Sequence, residues 1–171
     1  MGFDCRETMM NVDPLRLKAF FETQTLGSPS AAIGFSLWRL VHRYQREIDR
    51  ALASLNLTHL QFTVLALVAW SNSLGEAISQ AEVARQGEVE PMQLSQVIGA
   101  LEGKGLVVRR PHPGNLRLKC AEITEFGLTS LSEAMPIAID IQKRMFGLRG
   151  QPGGDLFEAL RDLLTDGRKH R

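Results

Sequence analysis

The chain has 171 residues, of which 44% are hydrophobic, 23% charged and 6% aromatic. These proportions belong to an ordinary globular domain and exclude a fibrous, collagen-like or largely disordered chain. One domain is expected at this length, burying roughly two-thirds to 70% of the surface its unfolded chain exposes. The formal net charge of +1 gives no global attraction to nucleic acid or anionic lipid, so such a partner would have to be held by a local patch.

Cys5 and Cys120 lie far apart and form no CxxC pair, which supports neither a disulfide framework nor a thiolate metal site. A reducing, cytoplasmic location is expected. The longest nearly uncharged run, residues 52–73, is broken by Asn56, Thr58, His59 and Gln61 and does not read as membrane-spanning. The start mixes acids and bases, with Asp4, Arg6 and Glu7, unlike a secretion signal.

Asp13 followed by Pro14 is an N-cap and first helical position, so a short helix is expected over 15–22, before a loop over 23–30. From Ile33 the residues Leu37, Leu40, Tyr44, Ile48, Ala51 and Leu55 recur at steps of three and four, which predicts a long helix over 31–55. Thr58 with Gln61 forms a capping box, and Leu57 can staple onto Phe62, opening a helix from His59 to about Trp70. Ser79 with Glu82 repeats the device for a two-turn helix that Gly87 should stop.

After a tight turn, Pro91 opens a helix over 91–103 whose Leu94, Val97, Ile98 and Leu101 share one face. A hairpin over 106–123 follows, with a tip at Pro111, His112, Pro113, Gly114 and Asn115. Thr124 caps a further helix that Pro136 should bend or divide, and Asp155 caps a last helix closed by Gly167.

This order predicts a mainly α (α+β) fold, a winged helix-turn-helix flanked by extra helices. The helix from Pro91 would lie in a DNA major groove, braced by the one before it. If its apolar face is inward, Met92, Gln93, Ser95 and Gln96 are left outward near its start. Both glutamines suit adenine edges, and Ser95 a base or phosphate. Between Gly103 and Lys119 the cations Lys104, Arg109, Arg110, Arg117 and Lys119 meet no acid. Residues 79–102 carry four glutamates against Arg85 alone. The hairpin should therefore supply most of the phosphate attraction, with His112 at its tip able to touch phosphate.

Leu57-Thr58 with Gln61-Phe62, Leu101-Glu102-Gly103-Lys104-Gly105-Leu106, and Ile123-Thr124-Glu125-Phe126-Gly127 stand in an order that resembles the MarR-type transcriptional regulators. The resemblance implies a homodimer on a pseudo-palindromic double-stranded DNA operator, usually repressing. It divides the chain into an N-terminal extension with dimer contacts (1–30), a winged DNA-binding domain (31–123) and C-terminal dimerisation helices (124–171). The family's wing reads Asp-x-Arg, matched here by Asn115, Leu116 and Arg117, with Arg117 implied for the minor groove. Asn115 is expected to hydrogen-bond Arg109, the strand arginine, and so brace the wing without a carboxylate's charge-assisted strength. Gly99 is a second departure and weakens its helix by about 0.5–1 kcal/mol relative to alanine.

The resemblance further implies release by a small phenolic or aromatic effector, in a pocket drawing on Trp38, Val41, His42, Gln45 and Phe62, and it invites an oxidant-sensing reading of Cys5. Arg39, Arg43, Arg46 and Arg50 read as a solvated face, Cys120 as a buried hydrophobe and Trp38 and Trp70 as core or interface anchors. No phosphate loop, metal cluster or nucleophile motif is present, so neither enzyme activity nor a cofactor is expected. The alternative function is a winged-helix module for protein interaction, suggested by the acidic approach to the Pro91 helix.

Overall fold

The computed structural model describes residues 12–24, 28–75, 78–112 and 114–166, with residues 116 and 117 described in the backbone alone. Cys5, Pro113, Gly167 and the basic tail lie outside the described residues. Residues 1–44 and 45–171 form two compact units.

In the first unit, helix α1 spans Pro14–Gln24, and α2, Ile33–Ala51, begins there and continues into the second. The Asp13 carboxylate accepts a hydrogen bond from the Leu15 amide at 3.0 Å, the side-chain capping expected of it. No described residue up to Tyr44 is buried. Leu15, Leu17, Phe20, Phe21, Ile33 and Leu37 are all exposed on the single chain, so the apolar face of this unit is unsatisfied by its own fold.

The second unit holds the core. Helix α2 ends at Ala51, four residues earlier than the apolar spacing suggests, because the buried Leu52 turns the chain into a 3-10 turn over Ala53–Leu55. Asn56 then takes a left-handed conformation at φ 53°, which asparagine tolerates better than most residues. Both halves of the Thr58–Gln61 capping box form at the start of α3, His59–Ser73. Leu57 and Phe62 are both buried beside it.

Ser79 likewise accepts from the Glu82 amide at the start of α4, Gln80–Gly87, but the reciprocal half of that box is missing. The Glu82 carboxylate bonds Arg85 and Gln86 instead. Glu88, rather than Gly87, takes the left-handed conformation after α4, at φ 50°. A Cβ at 87 would stand 3.0 Å from Leu67 Cδ1 and 3.3 Å from Val89 Cγ2, so those side chains would have to give by a few tenths of an ångström.

Helix α5 spans Pro91–Gly103, and strands β1 (Val107–His112) and β2 (Asn115–Ile123) pair antiparallel, with Val107 opposite Ile123 and Arg109 opposite Ala121. A single bridge from Ser79 to Cys120 ties the start of α4 to this hairpin. Helix α6, Glu125–Phe146, is continuous through Pro136, so the expected division does not occur. Ser132, whose carbonyl loses its amide donor to the proline, lies with Pro136 on the exposed side, where water can satisfy it. Helix α7 spans Asp155–Asp166. Val64, Leu65 and Val68 of α3, Leu94, Ile98 and Leu101 of α5 and Leu131, Ala134 and Ile141 of α6 form the buried core.

Candidate nucleic-acid interface

The burial of Leu94, Ile98 and Leu101 fixes how α5 is rolled about its axis. Met92, Gln93, Ser95 and Gln96 are consequently exposed near its start, as the apolar spacing predicts. Val97 is only half-buried. Pro91 occupies the first helical turn and no side chain caps it. Glu88 and Glu90 are exposed beside that end, where they suit the helix dipole but repel phosphate.

The cations of the hairpin region do different jobs. Lys104, expected as a phosphate contact, donates through Nζ to the Asn56 carbonyl and to Gln61 Oε1, the latter at 2.8 Å. That side chain ties the end of α5 to the start of α3. Arg110 stays exposed but pairs with Glu122 at 3.0 Å, its diagonal neighbour across the hairpin, since Arg110 faces Cys120 in the register. That partner lies three residues beyond Lys119, just outside the acid-free stretch. Lys119 is exposed on β2, and Arg117 occupies the same strand. His112 is half-buried at the tip, and its Nδ1 accepts from the Gly114 amide at 3.0 Å, a local use of the ring.

The expected brace between Asn115 and Arg109 is corrected by the register. Asn115 pairs opposite His112 at the tip, whereas Arg109 lies opposite Ala121, several residues toward the base of the hairpin. Arg109 instead turns onto α5. Its Nη2 donates to the Ser95 carbonyl at 2.7 Å, and its Nε lies 3.6 Å from Glu102 Oε2. The Arg109 amide also donates to Glu102 Oε1 at 3.0 Å.

Asn72 was missed by sequence reasoning. Near the end of α3 its side chain donates to the Ala121 carbonyl at 3.3 Å and accepts from the Ile123 amide at 2.8 Å, fixing β2 against α3. A lone amide closing an apolar helix was the available signal. At the far end of the hairpin, Thr124 caps α6 through the Gly127 amide at 2.9 Å and donates to the Gly105 carbonyl at 2.7 Å. A Cβ on Gly127 would overlap the Leu106 carbonyl oxygen, so the helix start rests directly on the backbone just before β1.

The residues expected around an effector fall on both units. Trp38, Val41 and His42 belong to the first, where Trp38 stacks on Phe35 at 6.1 Å and lies 4.2 Å from the His42 ring. His42 Nδ1 also shares a 2.7 Å hydrogen bond with the Trp38 carbonyl. Gln45, half-buried, and Phe62, buried, belong to the second. Among the described residues no group of His, Cys, Asp and Glu is arranged to hold a metal ion, and no helix is long and apolar enough to cross a membrane.

An outward polar helix start, braced across a tight turn and accompanied by a cationic hairpin, defines the class of winged helix-turn-helix transcription regulators. The MarR family model matches residues 57–119. The chain is 32% identical over 118 residues to the uncharacterised HTH-type transcriptional regulator YdcH of Bacillus subtilis, covering 69% of this chain and 80% of that protein. Among solved structures it resembles CouR from Rhodococcus jostii RHA1 bound to p-coumaroyl-CoA, with a TM-score of 0.68 and 28% identity over 80% of this chain and 92% of that one. A structure of the transcriptional repressor CouR on a 23-mer DNA duplex is similar at a TM-score of 0.67 and 26% identity, over 83% and 96% of the two chains. The chain belongs to the MarR family of DNA-binding transcriptional regulators, which are not enzymes.

Proposed function

We propose that the chain is a repressor that binds a pseudo-palindromic operator as a homodimer, laying α5 in the major groove of each half-site while the wing grips the adjacent backbone. The observation that carries this reading is the exposure of Met92, Gln93, Ser95 and Gln96 on one helix start, anchored from behind by Leu94 and Ile98. Gln93 and Gln96 carry the donor and acceptor pair that matches adenine in the major groove. Arg117 is assigned to the minor groove, with Arg110, His112, Asn115 and Lys119 along the phosphates. Lys104 and Arg109 leave that list, because their charges are engaged inside the fold.

The dimer is supported by the exposed apolar residues of α1, with Leu15, Leu17, Phe20 and Phe21, and of α7, with Leu160, Leu163 and Leu164. Burying such faces against a second copy removes apolar area from water at about 25 cal/mol per Å². Release by an aromatic effector, free or as an acyl thioester, is supported by the exposed Phe35 and Trp38 stack and by the similarity to CouR. The protein-interaction alternative has less support, since the relatives include a repressor on DNA.

The test is a salt titration on a selected operator. The logarithm of the binding constant should fall linearly with the logarithm of salt, at about −0.9 per phosphate neutralised. Arg117→Ala should lower that slope by about 1 and weaken binding on every sequence. Gln96→Ala should instead change preference among operator variants. A complex without salt dependence would overturn the wing-driven mechanism.

A further inference from the structure

The wing and the recognition helix are joined by a contact that neither the helix pattern nor the hairpin pattern requires. Ser95, Gly99 and Glu102 follow one another at four and three residues along α5 and so lie on one face. Arg109 of β1 lies along that face. Its guanidinium reaches the Ser95 carbonyl at 2.7 Å and its Nε lies 3.6 Å from the Glu102 carboxylate, which also accepts the Arg109 amide at 3.0 Å. Gly99 lies under the guanidinium: a Cβ there would stand 3.2 Å from Nη2, close enough that the guanidinium would have to shift by a few tenths of an ångström. The residue gripped by its backbone, Ser95, is one whose side chain belongs to the exposed start of the helix.

We propose that Arg109 is a positioning residue that sets the wing at a fixed offset from the base-reading face of α5, and that Gly99 is the complementary half of this clasp. The clasp engages on α5 the guanidinium that a brace within the wing would need. The guanidinium makes one hydrogen bond, to the Ser95 carbonyl, and one ion pair, with Glu102, while its buried Nε has no hydrogen-bond partner of its own; a lysine ammonium lacks the planar fork that reaches both. Contacts to phosphate position a protein on the duplex, and contacts to bases specify the sequence. Fixing the offset lets Lys119 hold the backbone and Arg117 the minor groove at the distance that places Gln93 and Gln96 on the bases. A loosened clasp therefore lowers discrimination between sequences more than it lowers general attraction to DNA.

The inference rests on the DNA-binding reading above, and its test separates the two. The full chain is titrated with the selected operator and with a scrambled duplex of equal composition, as wild type, Arg109→Gln, Arg109→Lys, Gly99→Ala and the double variant Gly99→Ala/Arg109→Gln. Each single variant should lower the ratio of operator to scrambled affinity about ten-fold with an unchanged salt slope. The double variant should be no worse than Arg109→Gln alone, because both substitutions break one contact. In the free protein, amide hydrogen exchange over 108–110 should quicken in Arg109→Gln and in Gly99→Ala, with near-native far-ultraviolet dichroism. An unchanged ratio and unchanged exchange in Gly99→Ala would overturn the clasp. A salt slope lowered by about 1 in Arg109→Gln, with equal loss on both duplexes, would also overturn it by making Arg109 a phosphate contact. A wild type that does not distinguish the two duplexes would refute the DNA-binding reading and the positioning role with it, while quickened exchange would still show the mechanical contact.

Discussion

Replacing Gly127 with alanine is expected to destabilise the protein, although helix propensity alone favours the change by about 0.5–1 kcal/mol. The new Cβ would overlap the Leu106 carbonyl oxygen and stand 2.9 Å from Ile123 Cγ1. The start of α6 must then retreat from the Leu106 backbone, just before β1, by roughly 1 Å to restore van der Waals separation. Two hydrogen bonds span that gap, from the Thr124 amide to the Leu106 carbonyl at 3.1 Å and from the Thr124 hydroxyl to the Gly105 carbonyl at 2.7 Å. Losing them costs about 0.5–1.5 kcal/mol each, and residual overpacking adds about 1 kcal/mol or more. Set against the propensity gain, the net loss is about 2 kcal/mol, or about 4–8 °C in Tm for a chain of this size. The assay is thermal and urea unfolding at one fixed protein concentration, because any association between copies would make Tm depend on concentration. Gly103→Ala is the control, because a Cβ at 103 meets nothing within 4 Å, and it should be neutral or slightly stabilising. A Gly127→Ala Tm at or above that of the wild type would refute the close approach of α6 to the Leu106 backbone.

Lys104→Met should lower stability by about 1–2 kcal/mol through loss of the bonds to the Asn56 carbonyl and Gln61. It should leave the salt slope of DNA binding unchanged; a slope reduced by about 1 without a change in Tm would return Lys104 to the phosphates. His59 gives a pH signature. Burial lowers its pKa below the ordinary 6.5, outweighing the nearby Asp49 carboxylate, which raises it. The unfolded chain therefore binds more protons here, so this contribution is complete well above pH 6.5 and is lost as the pH falls from there through the folded value. Urea midpoints between pH 7.5 and 5.5 should fall less steeply in His59→Gln than in the wild type, and parallel curves would contradict the assignment. Cys120 should resist alkylation in the native protein and react on unfolding, because burial and then the Glu122 charge raise its thiol pKa. Rapid native alkylation would overturn that expectation.

What the sequence made legible is chemistry that acts within four residues. The Thr58–Gln61 box, the Ser79 cap, the Pro91 start and the inward roll of Leu94, Ile98 and Leu101 are all local decisions, and the bounds of α5 and its exposed start follow from them. What stayed hidden depends on partners brought together by the fold. Glu82 fits a reciprocal box by spacing, yet Arg85 and Gln86 one turn on compete for its carboxylate. Lys104 reads as a free cation until Gln61 of α3 and Asn56 in the turn before it supply acceptors 43 and 48 residues away. Gly99 reads as a weakness in a helix until Arg109 is seen lying over it. The motif match puts a brace on Asn115 without containing strand register, and the register sets Asn115 opposite His112 and Arg109 opposite Ala121.

The most direct measurement is selection of bound fragments from a random duplex pool by the purified full chain, followed by footprinting of the enriched site. Two half-sites related by two-fold symmetry are predicted, about 10–10.5 base pairs apart or a multiple of that, with major-groove protection at each centre lost in Gln96→Ala. Enrichment of no sequence, or of an asymmetric site protected by a single copy, would contradict the assignment of α5 and the wing to a symmetric operator.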